Sequence, residues 1–432
     1  MAPPAQPKDT FVIDNGAYEI KAGFARQNTP VQFQNCVARG HDRRGYIGDQ
    51  LSTQCNDYSG LIVRRPFEKG HLTNWESENA IWNRLLFSLD AKDTKQSSFV
   101  VNPSEAALIV TEPLLHLPTC SANLDQMIFE EYCFASSYRC PASLLAIENN
   151  LNNIIIDPEG AGKRPTANPD TVLVVDSGYS ATTVTPIVNH KIYTPGIRRV
   201  NVGGKLLRNF LAETISFRHY NMMDESYIVN EIKDKCGFIS QQFLTDLRTC
   251  KELDMAENPL ALEYVLPRTS TNGYLQGHIR DTTQRVNPDD QILKLSNERF
   301  SIPELLFNPS DVGFHQAGIP ETIMQSVSAI EDQDIRGLLL GNVIFLGGCT
   351  QFPGFKERIS TELQSCVPED ICLRLGFPES PTTYAWQGGA KLGGQRSKLR
   401  GLQVTRKDYL EYGENICIKK YASNYLDNIP GH

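Results

Sequence analysis

The sequence predicts a mixed α/β protein organised around hairpins of one repeated design, and three stretches carry that expectation. Thr171–Ser180, TVLVVDSGYS, holds a continuous apolar run from Val172 to Val175, suited to a strand buried on both faces, and ends in Asp176-Ser177-Gly178. Near the start of the chain Thr10-Phe11-Val12-Ile13 runs into Asp14-Asn15-Gly16, so two strand–Asp–x–Gly turns stand about 160 residues apart. Asn342–Leu346, NVIFL, closed by Gly347-Gly348-Cys349-Thr350, is a third strand ending in glycine. An acidic residue at the carboxyl end of a buried strand, followed by glycine, leaves backbone N–H groups open to phosphate while its carboxylate can orient a metal's water shell. Two such turns can clamp a nucleotide's phosphates from both sides. Taken singly, an Asp-x-Gly turn closes many ordinary hairpins; the repetition makes it a signal.

Composition bounds the rest. The 432 residues allow two or three lobes, and 40% hydrophobic with 21% charged residues is ordinary for a globular chain. A net charge of −8 argues against nucleic-acid binding by bulk electrostatics, so any such connection is expected through partners. MAPPAQPKDT lacks a charged-then-apolar leader pattern and no run of 18 apolar residues occurs, which predicts an intracellular protein without a membrane span. The eleven cysteines, Cys36, Cys55, Cys120, Cys133, Cys140, Cys236, Cys250, Cys349, Cys366, Cys372 and Cys417, include no C-x-x-C pair and are expected as buried thiols rather than disulfides or a zinc site.

In chain order, Glu19–Phe24 is the return strand of the first hairpin, which sets Lys21 across from Asp14; its ammonium either reaches a β- or γ-phosphate or is simply solvated. Residues 35–75 mix Gly, Pro and charge into a small peripheral lobe. There Arg39, Arg43, Arg44, Arg64 and Arg65 mark either an acidic partner's contact or a solvated face. Trp75–Leu89 has helical apolar spacing with Asn74 as N-cap, residues 90–105 are a polar loop, and Ala107–Thr111 is a short strand. Ser121–Phe134 is expected as a helix capped by Ser121 or Asn123, and Pro141–Ile147 as a second buried element; Trp75, Trp82 and the aromatics near Phe129 belong to the core. Residues 149–170 are a loop, Ala181–Val188 a return strand broken at Pro186, and Gly203-Gly204 either admits a ligand to the following helix or forms a plain turn. Tyr227–Cys250 shows helical spacing, 267–292 is expected as a polar surface insertion, and Phe352-Pro353-Gly354-Phe355 leads into a helix from Lys356 to Leu363. The glycines at 347 and 348 would let an adenosine approach the backbone.

These segments resemble the actin family in order and spacing across nearly the whole chain. The motifs are DNGAYEIKAGF at Asp14–Phe24, YIGDQ at Tyr46–Gln50, LTNWE at Leu72–Glu76, MIFEEY at Met127–Tyr132, VDSGYS at Val175–Ser180, NERFSIPELLFNPSD at Asn297–Asp311, LGGCTQFPGFKER at Leu346–Arg358 and TYAWQGGA at Thr383–Ala390. EKGHLTNW, FEEY, DSGYS, VNVGGKLL and SPTTYAWQGG look most like a nuclear actin-related branch of that family. The resemblance implies the α/β fold shared by actin, Hsp70 and sugar kinases, with two lobes of two subdomains each around a nucleotide cleft. Residues 1–35, 73–152 and 384–432 would form subdomain 1, residues 36–72 a small, shortened subdomain 2, residues 153–202 and 299–383 subdomain 3, and residues 203–298 subdomain 4 with the 267–292 insertion.

Carried over position by position, the resemblance puts the first phosphate loop on Asp14, Asn15, Gly16 and Lys21 and the second on Asp176, Ser177 and Gly178. Ribose and adenine contacts fall on Gly204, Lys205, Lys233, Asp234, Gly347, Gly348 and Phe355. The implied cofactor is ATP or ADP with Mg, the metal held through water by Asp14 and Asp176, in a cleft that need not be filled. Departures oppose hydrolysis. Ala142 stands where actin has the glutamine that orients the attacking water, and Thr183 and Tyr179 stand for its histidine and second aspartate. Ala17 and Tyr18 replace the serine and second glycine of the first loop, and Thr382 the lysine against adenine. The segment from Cys36 to Tyr46 is much shorter than the loop actin uses to join its neighbour, which predicts no filament. The implied role is a non-catalytic subunit of a nuclear, SWR-type ATP-dependent remodelling complex that exchanges histone H2A for its variant and so regulates transcription. Its implied partners are a zinc-finger HIT-type subunit and the large remodelling ATPase, with histones and nucleosomal DNA met mainly through the complex. A nuclear location follows, with a cytoplasmic one also open. The alternative is an active, ATP-hydrolysing, filament-forming actin homologue, and a sugar kinase or chaperone is a remote third.

Overall fold

A computed structural model describes residues 7, 9–41, 43–87, 100–156, 168–270, 273–281, 283 and 287–427. Two sheets carry the architecture. The first runs, edge to edge, Val404–Thr405, Ser136–Pro141, Ala106–Glu112, Asp9–Asn15, Glu19–Phe24 and Val31–Gln34. The second runs Ile155–Ile156, Leu375–Gly376, Val343–Leu346, Val172–Ser177, Thr182–Val188, Lys191–Tyr193 and Tyr425–Leu426, with Arg198–Val200 also on the Thr182–Val188 strand. Both sheets repeat one arrangement. A central strand carries aspartate as its next-to-last residue, pairs in parallel with a later strand, and folds back antiparallel on its own hairpin partner. Asp14 and Asp176 therefore occupy equivalent places, at the carboxyl ends of central strands, where an open α/β sheet offers a ligand crevice.

Burial explains why these runs are strands. In Val172–Ser177 the apolar residues are all fully buried, and their alternation divides them: Val172 and Val174 join the core shared with the first sheet, while Leu173 and Val175 join the second lobe's own core. Val343–Leu346 does the same, with Ile344 and Leu346 on one side and Val343 and Phe345 on the other. One face of the second sheet thus packs in the same cluster as the first.

Two smaller sheets sit above. Val37–Arg39 lies between Gly45–Ile47 and Ile62–Arg64 over a core of Cys36, Ala38, Tyr46, Leu51, Cys55 and Leu61. Leu262–Val265 lies between His278–Ile279 and Ile292–Leu295. The Trp75–Phe87 helix begins as its sequence predicts, with Asn74 Oδ1 accepting from the Ser77 N–H at 3.0 Å.

Several expectations are corrected. The helix expected from Ser121 spans Pro118–Gln126 and continues as a π-helical turn over Met127–Glu131; proline, needing no N–H partner, starts it three residues earlier. Tyr227–Cys250 is two helices, Ser226–Cys236 and Phe243–Glu252, parted at Gly237, where a Cβ would lie 2.7 Å from the Lys233 carbonyl oxygen. Pro186 does not break its strand, because it falls in the gap between the pairings to Arg198–Val200 and to Lys191–Tyr193, where no ladder bond is lost. The 267–292 insertion contains strands at Arg268–Ser270, Gly273–Leu275 and His278–Ile279. Tyr425–Leu426 adds a short strand that pairs in parallel with Lys191–Tyr193 of the second sheet. Residues 90–99 and 157–167 of the two expected loops lie outside the described residues, and the second loop opens with a 3-10 turn at Leu151–Asn153 and a short strand at Ile155–Ile156. The cysteines are free; Cys36, Cys55, Cys140, Cys236, Cys349 and Cys417 are buried, whereas Cys366 and Cys372 are exposed.

Candidate functional site

The two hairpins face one another across a cleft of ≈ 650 Å³. On the first, Asp14 lies directly opposite Lys21 in the ladder, the placement its spacing predicts. Thr111, at the end of the neighbouring parallel strand, donates from Oγ1 to Asp14 Oδ1 at 2.8 Å and accepts from the Asn15 N–H at 2.7 Å. Asn15 Nδ2 donates to Glu78 Oε1 at 2.6 Å, and Trp82 Nε1 donates to the same oxygen at 3.0 Å. Helix and strand together thus hold the first turn. Burial pushes Glu78 up to about 7, against the bonds from Asn15 and Trp82. Lys21 Nζ donates to the Glu19 carbonyl at 3.2 Å and lies 3.9 Å from the Glu19 carboxylate.

On the second hairpin, Asp176 faces Thr183 in register, and Gly347 presses on the turn from the side. Gly347 has φ +91°, and a Cβ there would come 2.3 Å from Ser177 O and 2.7 Å from Asp176 Oδ1, so this position admits only glycine without rearrangement. Burial, with Asp14 nearby, raises Asp176 to about 6 despite Lys21; burial likewise raises Asp14, against Lys21 and Thr111. Two carboxylates that cannot both ionise comfortably create a demand for positive charge between them. Asn15 Oδ1 beside them is buried without a partner. This all-oxygen donor set with a lysine at its edge is of the kind that suits a hard divalent cation and a phosphate tail; Asp14 and Asp176 are the residues that would hold such a cation, which would supply charge neutralisation.

Of the residues the resemblance singled out, Asp14, Asn15, Gly16, Lys21, Asp176, Gly178, Gly204, Lys233, Asp234, Gly347 and Gly348 line this cleft. Three do not. Ser177 is fully buried inside its hairpin, its Oγ 2.8 Å from Thr182 Oγ1. Phe355 is a core residue against Phe307 and Phe345, because Gly354 at φ +87° turns the chain so that Phe352, not Phe355, reaches the cleft. Lys205 gives its N–H to the Tyr179 carbonyl at 2.8 Å while its exposed side chain lies outside. Lys233 Nζ pairs with Asp234 Oδ1 at 2.8 Å.

The departures also line the cleft: Ala17, Tyr18, Ala142, Tyr179, Thr183 and Thr382. Tyr18 and Tyr179 meet at 5.0 Å between ring centroids, and the Arg65 guanidinium lies 4.1 Å from the first ring and 5.2 Å from the second. Asn230 Nδ2 donates to the Tyr18 hydroxyl at 3.1 Å. A bridge from the first lobe to the second therefore crosses the cleft at the level of the phosphate turns. Sequence reasoning did not place Thr111, Glu78, Arg65 or Asn230 at the cleft, where they act through partners distant in sequence; Thr111 carried a signal as the last residue of an expected strand, and the sequence marked Arg65 only as an acidic partner's contact or a solvated face.

The actin family model matches residues 5–422. The chain is 38% identical to "Actin-like protein ARP6" of Yarrowia lipolytica, over 96% of this chain and 98% of that one. It is 36% identical to "Actin-like protein arp6" of Aspergillus fumigatus, over 96% and 95%, and 35% identical to "Actin-related protein 6" of Drosophila melanogaster, over 93% and 97%. With the family model spanning the two hairpins and the relatives spanning nearly the whole chain, the protein belongs to the actin family, as an actin-related protein of the Arp6 type.

Proposed function

We propose that this protein is a non-catalytic, actin-fold subunit of a nuclear, SWR-type ATP-dependent chromatin-remodelling complex that exchanges histone H2A for its variant. In this reading it pairs with a zinc-finger HIT-type subunit and docks on the large remodelling ATPase. It grips ATP or ADP with Mg through Asp14, Lys21 and Asp176, or keeps the cleft empty, without turning nucleotide over. One observation carries the reading: no side chain at 142, 179 or 183 can serve as a base toward water. Ala142 has no polar group, Thr183 lies opposite Asp176 as a hydroxyl, and Tyr179 is engaged with Tyr18 and Arg65. Purified protein given ATP and magnesium should release no phosphate above buffer, and sustained turnover would overturn the reading. The assembly half is tested by cross-linking within the native complex. Contacts from the 36–65 lobe or the 267–292 segment to other subunits are expected, and their absence from both would count against it.

Asp14, Lys21 and Asp176 favour a second reading, an active filament-forming ATPase. It requires pelleting on addition of salt and ATP.

A further inference from the structure

Beyond the tyrosine bridge lies a second, smaller chamber of ≈ 210 Å³. Tyr18, Phe67, Tyr179 and Asn230 line both it and the inner cleft, so the tyrosine pair lies between the two. Its walls bring three cations together from two parts of the fold: Arg65 from the segment just after the Ile62–Arg64 strand, and Lys205 and Arg208 from one face of the Gly204–Arg218 helix. Glu68 is the single carboxylate in the lining, against three positive side chains, in a protein whose net charge is −8. Among the described residues none of the three cations forms a salt bridge. Arg65 donates to the Tyr18 and Asn35 carbonyls, Arg208 to Asn209, and Arg208 Nε is buried with no partner at all. An unpaired buried guanidinium nitrogen is costly to maintain without an anion.

An independent feature points into the same space. Ser226 and Tyr227 open the eleven-residue Ser226–Cys236 helix and line the chamber, so its positive N-terminal end faces the cations. The acidic residue before them, Glu225, makes no capping bond; both of its oxygens accept from the Gly60 N–H at 3.0 Å. The chamber is smaller than pockets for drug-sized ligands, typically about 300 Å³ or more, yet has room for one or two phosphoryl groups.

We propose that this outer chamber is an oxyanion site, distinct from the inner cleft, that takes a phosphate or pyrophosphate group through Arg65, Lys205, Arg208 and the N-terminal end of the Ser226–Cys236 helix. Guanidinium forks and a helix end are matched to a tetrahedral, multiply charged oxyanion, and the tyrosine pair excludes water from one side.

The test titrates the full-length protein with sodium pyrophosphate and, in a second arm, with orthophosphate, at fixed ionic strength by calorimetry. Saturable binding in either arm is expected; the arm that binds more tightly reports whether one or two phosphoryl groups fit. Lys205→Gln and Arg208→Gln should each weaken it by about tenfold or more, the loss of one charge-assisted contact. Lys21→Gln, in the inner cleft, should leave it unchanged. Lys205 is exposed, so its variant tests the site without threatening the fold, and an unaltered melting curve checks this. No binding up to roughly 10 mM, binding indifferent to both outer substitutions, or binding abolished by Lys21→Gln would each overturn the proposal.

Discussion

At the residue scale the cleft is set by conflict between carboxylates. Asp176 favours its neutral form up to about pH 6, compared with 3.8 for the free group, because it is buried and faces Asp14. The folded value is the higher one, so Asp176 adds stability while protonated, and that contribution is lost as the pH rises from about 4 through about 6. Asp176→Asn keeps the shape and removes the charge. We expect it to melt higher than the parent above pH 6, by roughly 1–3 kcal/mol of stability, and to match it below pH 4. It should also lose magnesium-dependent nucleotide affinity. Thermal melts across pH 3.5–8 check the sign, and a variant less stable than the parent at pH 7.5 would contradict it. Gly347 makes the opposite kind of demand. Gly347→Ala must fit a Cβ against the Ser177 carbonyl in a backbone conformation that alanine resists. A loss of roughly 2–4 kcal/mol in chemical denaturation is expected, whereas Gly313→Ala, also at positive φ but with open space around it, should cost much less.

At the element scale the upper sheet leans on its neighbours: Arg84 of the Trp75–Phe87 helix pairs with Asp49, and Val37 and Ile47 pack against the first sheet's core. Tyr58 and Tyr227 stack at 4.5 Å and 13°, the Gly60 N–H meets Glu225, and Arg65 reaches the tyrosine bridge. Its own core holds only six buried apolar side chains. Tyr227→Ala removes a pair worth about 0.5–1.5 kcal/mol beyond its buried area and should speed amide exchange over residues 36–65 selectively. Uniform acceleration across both large sheets would show instead that the stack supports the whole fold. The same elements show what a sequence can reveal. Val172–Val175 and Asn342–Leu346 announced buried strands because continuous apolar runs bounded by glycine leave few alternatives, and the Asp14–Lys21 facing followed from hairpin register alone. The start at Pro118 and the break at Gly237 were not legible, since helical apolar spacing continues through both while proline chemistry and close packing decide where the chain turns. Phe355 was misplaced for a similar reason: a left-handed glycine at 354 inverts which of two phenylalanines faces the cleft, and periodicity does not register that. The bridge of Tyr18, Arg65, Tyr179 and Asn230 joins residues up to 212 positions apart, a proximity that only the folded topology creates.

At the scale of the whole molecule, the question is whether the lobes behave as separate bodies. A cleft between lobes suggests independence, but the hydrophobic clusters argue otherwise. Val172, Val174, Ile187, Ile192, Ile344 and Leu346 of the second sheet belong to the same buried cluster as Phe11, Val12, Ile13, Ile109 and Trp386 around the first. The opposite face of the second sheet packs in a separate cluster built from the second lobe, against which Tyr58 also packs. Unfolding the first lobe alone would expose half of the second lobe's central strands; at about 25 cal/mol per Å² of apolar surface, six such side chains represent on the order of 10 kcal/mol, comparable to the whole stability of a typical domain. The tyrosine bridge and the Tyr425–Leu426 strand add further ties across the same boundary. The two lobes should therefore melt as one cooperative unit, with no ligand needed to couple them. Differential scanning calorimetry of the nucleotide-free protein is expected to show one principal transition, with a minor early shoulder at most from the upper sheet. Tyr18→Gly, which removes the bridge while leaving the shared core intact, should lower the transition without splitting it. Two well-separated transitions in the parent protein would mean that the shared face contributes far less than its burial implies.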